Sequence, residues 1–262
     1  MERADISIVN FESPIIKEGK TPKPITKCGP NLKGSIEAID AIKYAGFNCC
    51  TLANNHILDQ GADCCMDTIE CLKSKGLLTV GAGNNIDDAS EILYFESEGI
   101  KLVIINCCEH EFTLATDESP GANPLNPIQQ FYKIIEAKKN ADIVMAIIHG
   151  EPEFYQLPTI RMQETYRYFI DCGADIVVNH HQHCFGGYEI YKDKTIFYGL
   201  GNLCFDDIIK KDGTWVEGYM LEFDISVDKS INFKLYPYKQ CSDEVGVHLL
   251  QDACDFEKKS TS

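Results

Sequence analysis

The stretch Gly173-Ala174-Asp175-Ile176-Val177-Val178-Asn179-His180-His181-Gln182-His183 constrains the fold more than any other. Five apolar or small residues run up to it, and three of the chain's seven histidines then fall within four positions. An apolar run that stops abruptly in polar residues is the signature of a buried parallel strand. Its C-terminal edge is where open α/β sheets keep their sites. Residues two apart in an extended segment point the same way, so His181 and His183 are expected to reach one ion while His180 faces elsewhere. Taken alone, the stretch also reads as a polar loop with surface histidines.

The same pattern recurs upstream. Ala4 to Asn10 predicts a short strand ending in Asn10-Phe11-Glu12-Ser13-Pro14. Residues 17–34 carry excess Lys, Gly and Pro and read as a connecting loop. Ser35 is placed to cap a helix that Gly46 closes. Phe47 to Ala53 predicts a second strand, running into Asn54-Asn55-His56-Ile57-Leu58-Asp59-Gln60-Gly61. Asp63 is placed to cap a helix to Lys75, followed by a short strand, Leu77 to Val80. The Gly81/Gly83 turn lacks the third glycine and long helix of a dinucleotide fingerprint. Ile92–Glu96 and Lys101–Asn106 predict a hairpin around Glu98-Gly99.

After a loop over 109–127, Pro127 opens a helix to Asn140. Ile143 to Ile148 is a fully apolar strand that stops at His149-Gly150-Glu151-Pro152-Glu153. A helix from Thr159 to Cys172 leads to the histidine-bearing strand. A hairpin, Tyr188–Tyr191 with Thr195–Tyr198, precedes the polar cluster Gly199-Leu200-Gly201-Asn202. Gly218–Ile225 and Ile231–Tyr236 predict late antiparallel strands. Helix and strand alternate over the first two thirds, and strands dominate the last third, which argues for an α/β core extended by antiparallel strands. Residues 1–240 read as one domain and 241–262 as a polar C-terminal tail.

A length of 262 residues gives ample material for one large core. The net charge of −16 disfavours general affinity for a nucleic-acid backbone or an anionic membrane, without forbidding an anionic substrate at a local metal site. Thirteen cysteines is an odd number, with no C-x-x-C pair, and predicts buried reduced thiols rather than a disulfide framework. No signal peptide or membrane anchor is visible, so the chain as written is expected to be cytoplasmic, which an upstream segment would change.

Glu12, Asn55/His56, His149 and His181/His183 each sit just past a predicted strand end. In a parallel sheet those ends share one edge. Mixed oxygen and imidazole donors without thiolate suit one or two divalent transition ions, Mn, Fe or Zn, better than Ca or Mg. Each residue has a plainer role open to it. Asn54-Asn55 can supply a left-handed turn and His149 a satisfied core histidine. Glu12 can be a solvated carboxylate, and Glu151 and Glu153 surface charge.

These clusters, with Glu189 and the block Tyr198-Gly199-Leu200-Gly201-Asn202-Leu203-Cys204-Phe205-Asp206, resemble the CapA family of capsule or poly-γ-glutamate synthesis proteins, relatives of the calcineurin-like metallophosphoesterases. The matched span is about residues 5–206. The resemblance implies a metallophosphoesterase-like α/β/β/α sandwich with mixed sheets. It implies metal ligation by Glu12, Asn55, His149, His181 and His183. It implies His56 as the general acid near the leaving group, and we assign Asp59 the task of orienting it. The implied chemistry is a metal-bound hydroxide acting on a phosphoester or amide-type bond. The implied partners are an anionic exopolymer or phosphoester substrate and other capsule-synthesis proteins. A non-catalytic polymer-binding or assembly subunit is the alternative. The family's earlier strand ending in Gly-Asp does not appear, which leaves open a truncated chain or a depleted first metal position. Asn179, Gln182 and Gly199 stand where the family usually has Gly, Pro and Ser.

Overall fold

Short β-branched and cysteine-rich runs alternate with amphipathic helices, and the chain folds accordingly. A computed structural model describes residues 3–205, 213–240 and 246–250. The chain forms two units. The first comprises residues 1–97, 103–133 and 147–149; the second comprises 98–102, 134–146 and 150–262.

In the first unit, β1 (Ile8–Asn10), β2 (Cys49–Thr51) and β3 (Leu78–Val80) form a parallel sheet in the order β1-β2-β3. Parallel pairing requires crossovers, supplied by α1 (Ile36–Tyr44) and α2 (Ala62–Ser74). Ser35 stands at the N-cap of α1 as expected, without a side-chain cap bond. Gly61, not Asp63, is the N-cap of α2; Asp63 lies in its first turn. The predicted Gly81 turn instead carries a two-residue strand, β4 (Ala82–Gly83), then a short helix, α3 (Ile86–Ala89). Next come β5 (Leu93–Ser97) and β6 (Ile100–Cys108), and β7 (Gly121–Ala122), which pairs antiparallel with β4. Glu98 and Gly99 between β5 and β6 both have positive φ, as a two-residue hairpin turn requires. The core packs Leu52, Ile57, Ile69 and Leu72 with Cys50, Cys65 and Cys108. Helix α4 (Pro127–Asn140) and strand β8 (Ile143–His149), like β6, contribute residues to both units.

One buried side chain ties the first unit's strand ends together. Asn106 Oδ1 accepts from the backbone N–H groups of Leu52 and Ala53 at 3.1 and 2.8 Å, and its Nδ2 donates to the Ile147 carbonyl at 3.1 Å. A β-carbon at position 81 would fall 1.9 Å from Asn106 Oδ1, and φ there is +97°, so only glycine fits.

In the second unit, α5 (Ile160–Cys172) starts at Thr159, whose hydroxyl accepts from the Met162 N–H. It ends at Gly173 in the left-handed conformation. It leads into β9 (Ile176–His180), which pairs parallel with β11 (Lys194–Phe197); β11 pairs antiparallel with β10 (Tyr188–Tyr191). The sheet is therefore mixed. β12 (Glu217–Ile225) and β13 (Ile231–Gln240) form the expected antiparallel pair. Of the tail expected over 241–262, residues 246–250 are described, and Val247–Leu249 there forms β14 against β13; the remainder lies outside the described residues. No helix among the described residues is long and apolar enough to cross a membrane.

Asn179, Gln182 and Gly199 form one packed group. Asn179 Nδ2 donates to Gln182 Oε1 at 2.8 Å, and Gln182 Nε2 donates to the Tyr198 carbonyl at 2.5 Å. A β-carbon at Gly199 would meet Gln182 Oε1 at 2.9 Å and the Cys184 carbonyl at 3.1 Å. The glycine makes room for the glutamine, and the glutamine satisfies the asparagine.

The described cysteines are all free. Burial pushes the Cys49, Cys50 and Cys65 thiols up to about 12.

Three outcomes follow from this packing. Asn106→Ala removes the acceptor of the buried Ala53 N–H and the donor to the Ile147 carbonyl, while the Leu52 N–H keeps the Val80 carbonyl at 2.9 Å, and is expected to lower unfolding free energy by on the order of 2–4 kcal/mol in a urea titration. The thiols favour the folded state while protonated, so their contribution is full below the ordinary value of 9.0 and declines as pH rises toward about 12. Urea midpoints should therefore fall above pH ~9. Native maleimide labelling should mark Cys28 and Cys204, the exposed pair among the described residues, ahead of Cys49, Cys50 and Cys65.

Candidate functional site

In the first unit, three of the sequence-derived metal ligands converge. His149, at the end of β8, is buried, and its Nε2 lies 3.0 Å from Asn55 Oδ1 and 3.4 Å from Glu12 Oε1. Asn10, the last residue of β1, donates from Nδ2 to Glu12 Oε2 at 2.8 Å. Asn54 donates to the Phe11 carbonyl at 2.9 Å, fastening the two loops that carry Glu12 and Asn55. Thr113 Oγ1 donates to the Asn54 carbonyl from a third loop. Asn54 therefore serves as the structural clamp and Asn55 presents its side chain to the site.

His56 is buried beside this group. Its Nδ1 lies 2.5 Å from Asp59 Oδ2, on the same turn. Asp59 is fully buried, and its Oδ2 also accepts from the Leu32 N–H at 2.6 Å. Its Oδ1 meets the ammonium of Lys27, whose side chain is only 3% exposed. Lys27 Nζ is also 3.0 Å from His56 Nδ1 and donates to the Asn55 carbonyl at 3.3 Å. Sequence reasoning treats Lys27 as part of a polar connecting loop. The loop is in fact laid onto the Asn55–Gly61 turn by main-chain bonds, Lys23 N to Gln60 O and Ile25 N to Asp59 O.

In the second unit, His181, His183 and Glu153 place one ligand atom each within 4.8 Å of one another. His181 and His183 do converge, but not by strand alternation. β9 ends at His180, and His181 and His183 have φ of 107° and 55°. Glu151 and Phe154, in the loop after β8, are also in the left-handed region, with φ of 79° and 66°. Non-glycine residues held there store strain of roughly 1–3 kcal/mol each and concentrate at functional sites. Glu153, which sequence reasoning left open as surface charge, joins the cluster, and His180 does not.

The second cluster fits a metal in its tautomer as well as its donors. Asn202 Nδ2 donates to the carbonyls of His183 and Trp215, at 3.2 and 3.0 Å. Its Oδ1 is thereby fixed as the acceptor toward His183 Nδ1, 2.8 Å away. Nδ1 then carries the proton and Nε2 offers its lone pair, the arrangement a metal-ligating imidazole requires. The first cluster offers a carboxylate, a carboxamide oxygen and an imidazole, again without thiolate. Both sets suit a divalent transition ion.

The bacterial capsule synthesis protein PGA_cap family model matches residues 1–207. The capsule biosynthesis protein CapA of Bacillus anthracis is 35% identical over 212 residues, covering 79% of this chain and 52% of that protein. The PGA biosynthesis protein CapA of Bacillus subtilis is 34% identical over 200 residues, covering 75% and 52%. The chain thus spans about half the length of these relatives (52% of each). Among solved structures, a phosphatase from Mycoplasma pneumoniae superposes with a TM-score of 0.56 at 16% identity, covering 90% of this chain and 82% of that one. A putative 5'-nucleotidase from Staphylococcus aureus superposes with a TM-score of 0.53 at 16% identity, covering 86% and 42%. These likenesses carry the fold, a metallophosphoesterase-like α/β arrangement with mixed sheets, as the sequence led us to expect. Taken with the match over residues 1–207, they close the assignment: the chain belongs to the bacterial capsule synthesis protein PGA_cap family.

Proposed function

We propose that this chain is a metal-dependent hydrolase of capsule or poly-glutamate metabolism, cleaving a phosphoester or amide-type bond in an anionic polymer or a precursor of one. The observation that carries the reading is the adjacency of Asn55 and His56. One presents its oxygen to His149 Nε2 at 3.0 Å, and its neighbour is held on Asp59 at 2.5 Å. A ligand set and an anchored imidazole on consecutive residues can divide substrate activation from proton transfer.

Glu12, Asn55 and His149 are proposed to hold one divalent transition ion. His181 and His183, assisted by Glu153, are proposed to offer ligands of the same class. Such an ion, when bound, supplies Lewis acidity and lowers the pKa of water it coordinates. His56 protonates the departing group through Nε2, because Nδ1 is committed to Asp59. Asp59 accepts that Nδ1 proton and fixes the ring plane. The chain's charge of −16 opposes holding a polyanion by surface attraction, which favours recognition at a local cationic centre over the polymer-binding alternative.

Elemental mass spectrometry of the purified protein should find transition metal that is lost in His183→Ala while circular dichroism is unchanged. Retention of full metal content in His183→Ala and in His149→Ala alike would remove the proposed ligand sets. His56→Ala should keep its metal and lose ~10²–10⁴-fold in turnover. Metal loss in that variant would make His56 a ligand instead. Turnover of p-nitrophenyl phosphate against γ-glutamyl-p-nitroanilide distinguishes the two bond classes. A metal-loaded protein that cleaves neither, but retains poly-γ-glutamate on a filter, would favour the binding role.

A further inference from the structure

We propose that Lys27 is a positioning residue for His56 that acts through Asp59. The proposal rests on the hydrolase reading above and adds a residue from the connecting loop to its machinery. A lysine ammonium is compact and strongly hydrated, and such side chains ordinarily keep the charged head in water. Lys27 instead buries its head, with 3% of the side chain exposed, against a carboxylate that is itself fully buried. Burying such a pair carries a desolvation cost and is weak evidence for stability. Its value must therefore be sought in what the pair arranges.

The two Asp59 oxygens have separate tasks. Oδ1 meets Lys27 Nζ, while Oδ2 lies 2.5 Å from His56 Nδ1 and accepts from the Leu32 N–H at 2.6 Å. Two groups face His56 Nδ1: Asp59 Oδ2 at 2.5 Å, which as a carboxylate only accepts, and Lys27 Nζ at 3.0 Å, which only donates; the shorter contact is the carboxylate's, and it places the proton on Nδ1. Lys27 holds Oδ1 and so prevents the carboxylate from rotating away from the ring. Its bond to the Asn55 carbonyl, 3.3 Å, fixes the peptide that joins the ligand residue to the acid. With Nδ1 committed, Nε2 is the ring atom left to exchange a proton with substrate. The bond to the departing oxygen breaks as that oxygen takes the Nε2 proton, and the attacking water, which forms the new bond, returns a proton to the ring.

The test uses the full metal-loaded chain as wild type, Lys27→Met, Lys27→Arg, Asp59→Asn and the Lys27→Met/Asp59→Asn double variant. Turnover is measured on phenyl phosphate, whose departing oxygen needs a proton, and on p-nitrophenyl phosphate, which needs one far less. Lys27→Met should lose at least ~10-fold in kcat on phenyl phosphate and much less on p-nitrophenyl phosphate, with KM and metal content unchanged. Lys27→Arg should recover most of the loss. In the Asp59→Asn background, Lys27→Met should cost nothing further, because its effect runs through Asp59.

Equal losses on both esters, or a full further loss in the double variant, would overturn the proposal. Should Lys27→Met fail to fold with Asp59 left charged, the double variant removes both buried charges and completes the comparison. A second readout needs no substrate. The ¹⁵N ring signals of His56 should move in Lys27→Met and stay near wild type in Lys27→Arg, and unmoved signals in a folded Lys27→Met protein would also overturn the proposal. Wild type inactive on both esters and on γ-glutamyl-p-nitroanilide counts against the hydrolase reading, while the His56 spectrum still decides the role of Lys27.

Discussion

A single carboxamide stands between the hydrophobic core of the first unit and its polar edge. Asn106 closes two backbone N–H groups just beyond β2 and one carbonyl within β8. Those contacts lie immediately before Asn54-Asn55-His56 on one chain segment and before His149 on another. The side chains that face each other at 3.0 Å across Asn55 and His149 therefore each lie two residues along from a common buried anchor. Buried polar groups of this kind are costly when any partner is missing, and they fix geometry when all are present. The glycine at 81 follows from the same constraint, since any β-carbon there would occupy the space of the Asn106 oxygen.

The second unit solves the same problem by strain. The backbone leaves β9 at His180 and enters the left-handed region at His181 and again at His183. Such conformations persist only where the surroundings over-determine them. Here the Asn179–Gln182 bond, the Gln182–Tyr198 bond and the Asn202 clamp on the His183 carbonyl do so. Asn202 does two things at once: it holds the strained turn and selects the His183 tautomer. A residue with both tasks couples the shape of the loop to the chemistry of the ring.

Much of this was legible in the sequence because apolar runs with abrupt polar ends report buried strands and their edges. β8 and β9 were found that way, and the same pattern singled out Glu12, Asn55, His149, His181 and His183 as candidates. What periodicity could not supply was long-range side-chain geometry. Lys27 lay in a stretch whose Lys, Gly and Pro content reports only a loop, and nothing local signals that the loop folds back on Asp59. Asn106 looked like one more position in a strand. The convergence of His181 and His183 was expected, but for the wrong reason, since strand alternation stops one residue too early. Glu153 was open to being surface charge because a carboxylate three residues past a glycine carries no periodic signal. β4 and β7, two residues each, are too short for any pattern to register.

The Lys27–Asp59–His56 arrangement bears on why a buried ion pair should be kept at all. Replacing such a pair by apolar residues is often neutral or stabilising, so stability alone does not account for it. The pair's geometry is asymmetric: one carboxylate oxygen serves the ammonium, and the other serves an imidazole and a backbone N–H. An apolar replacement would fill the volume but leave the imidazole free to rotate. Without the ammonium, the Leu32 N–H would still hold Oδ2, and Oδ1 would lose the ammonium that faces it. The ammonium secures the second oxygen. The arrangement thus exchanges some folding free energy for a defined ring orientation next to the Glu12, Asn55 and His149 donor set, which is the same exchange the second unit makes with backbone strain around His183.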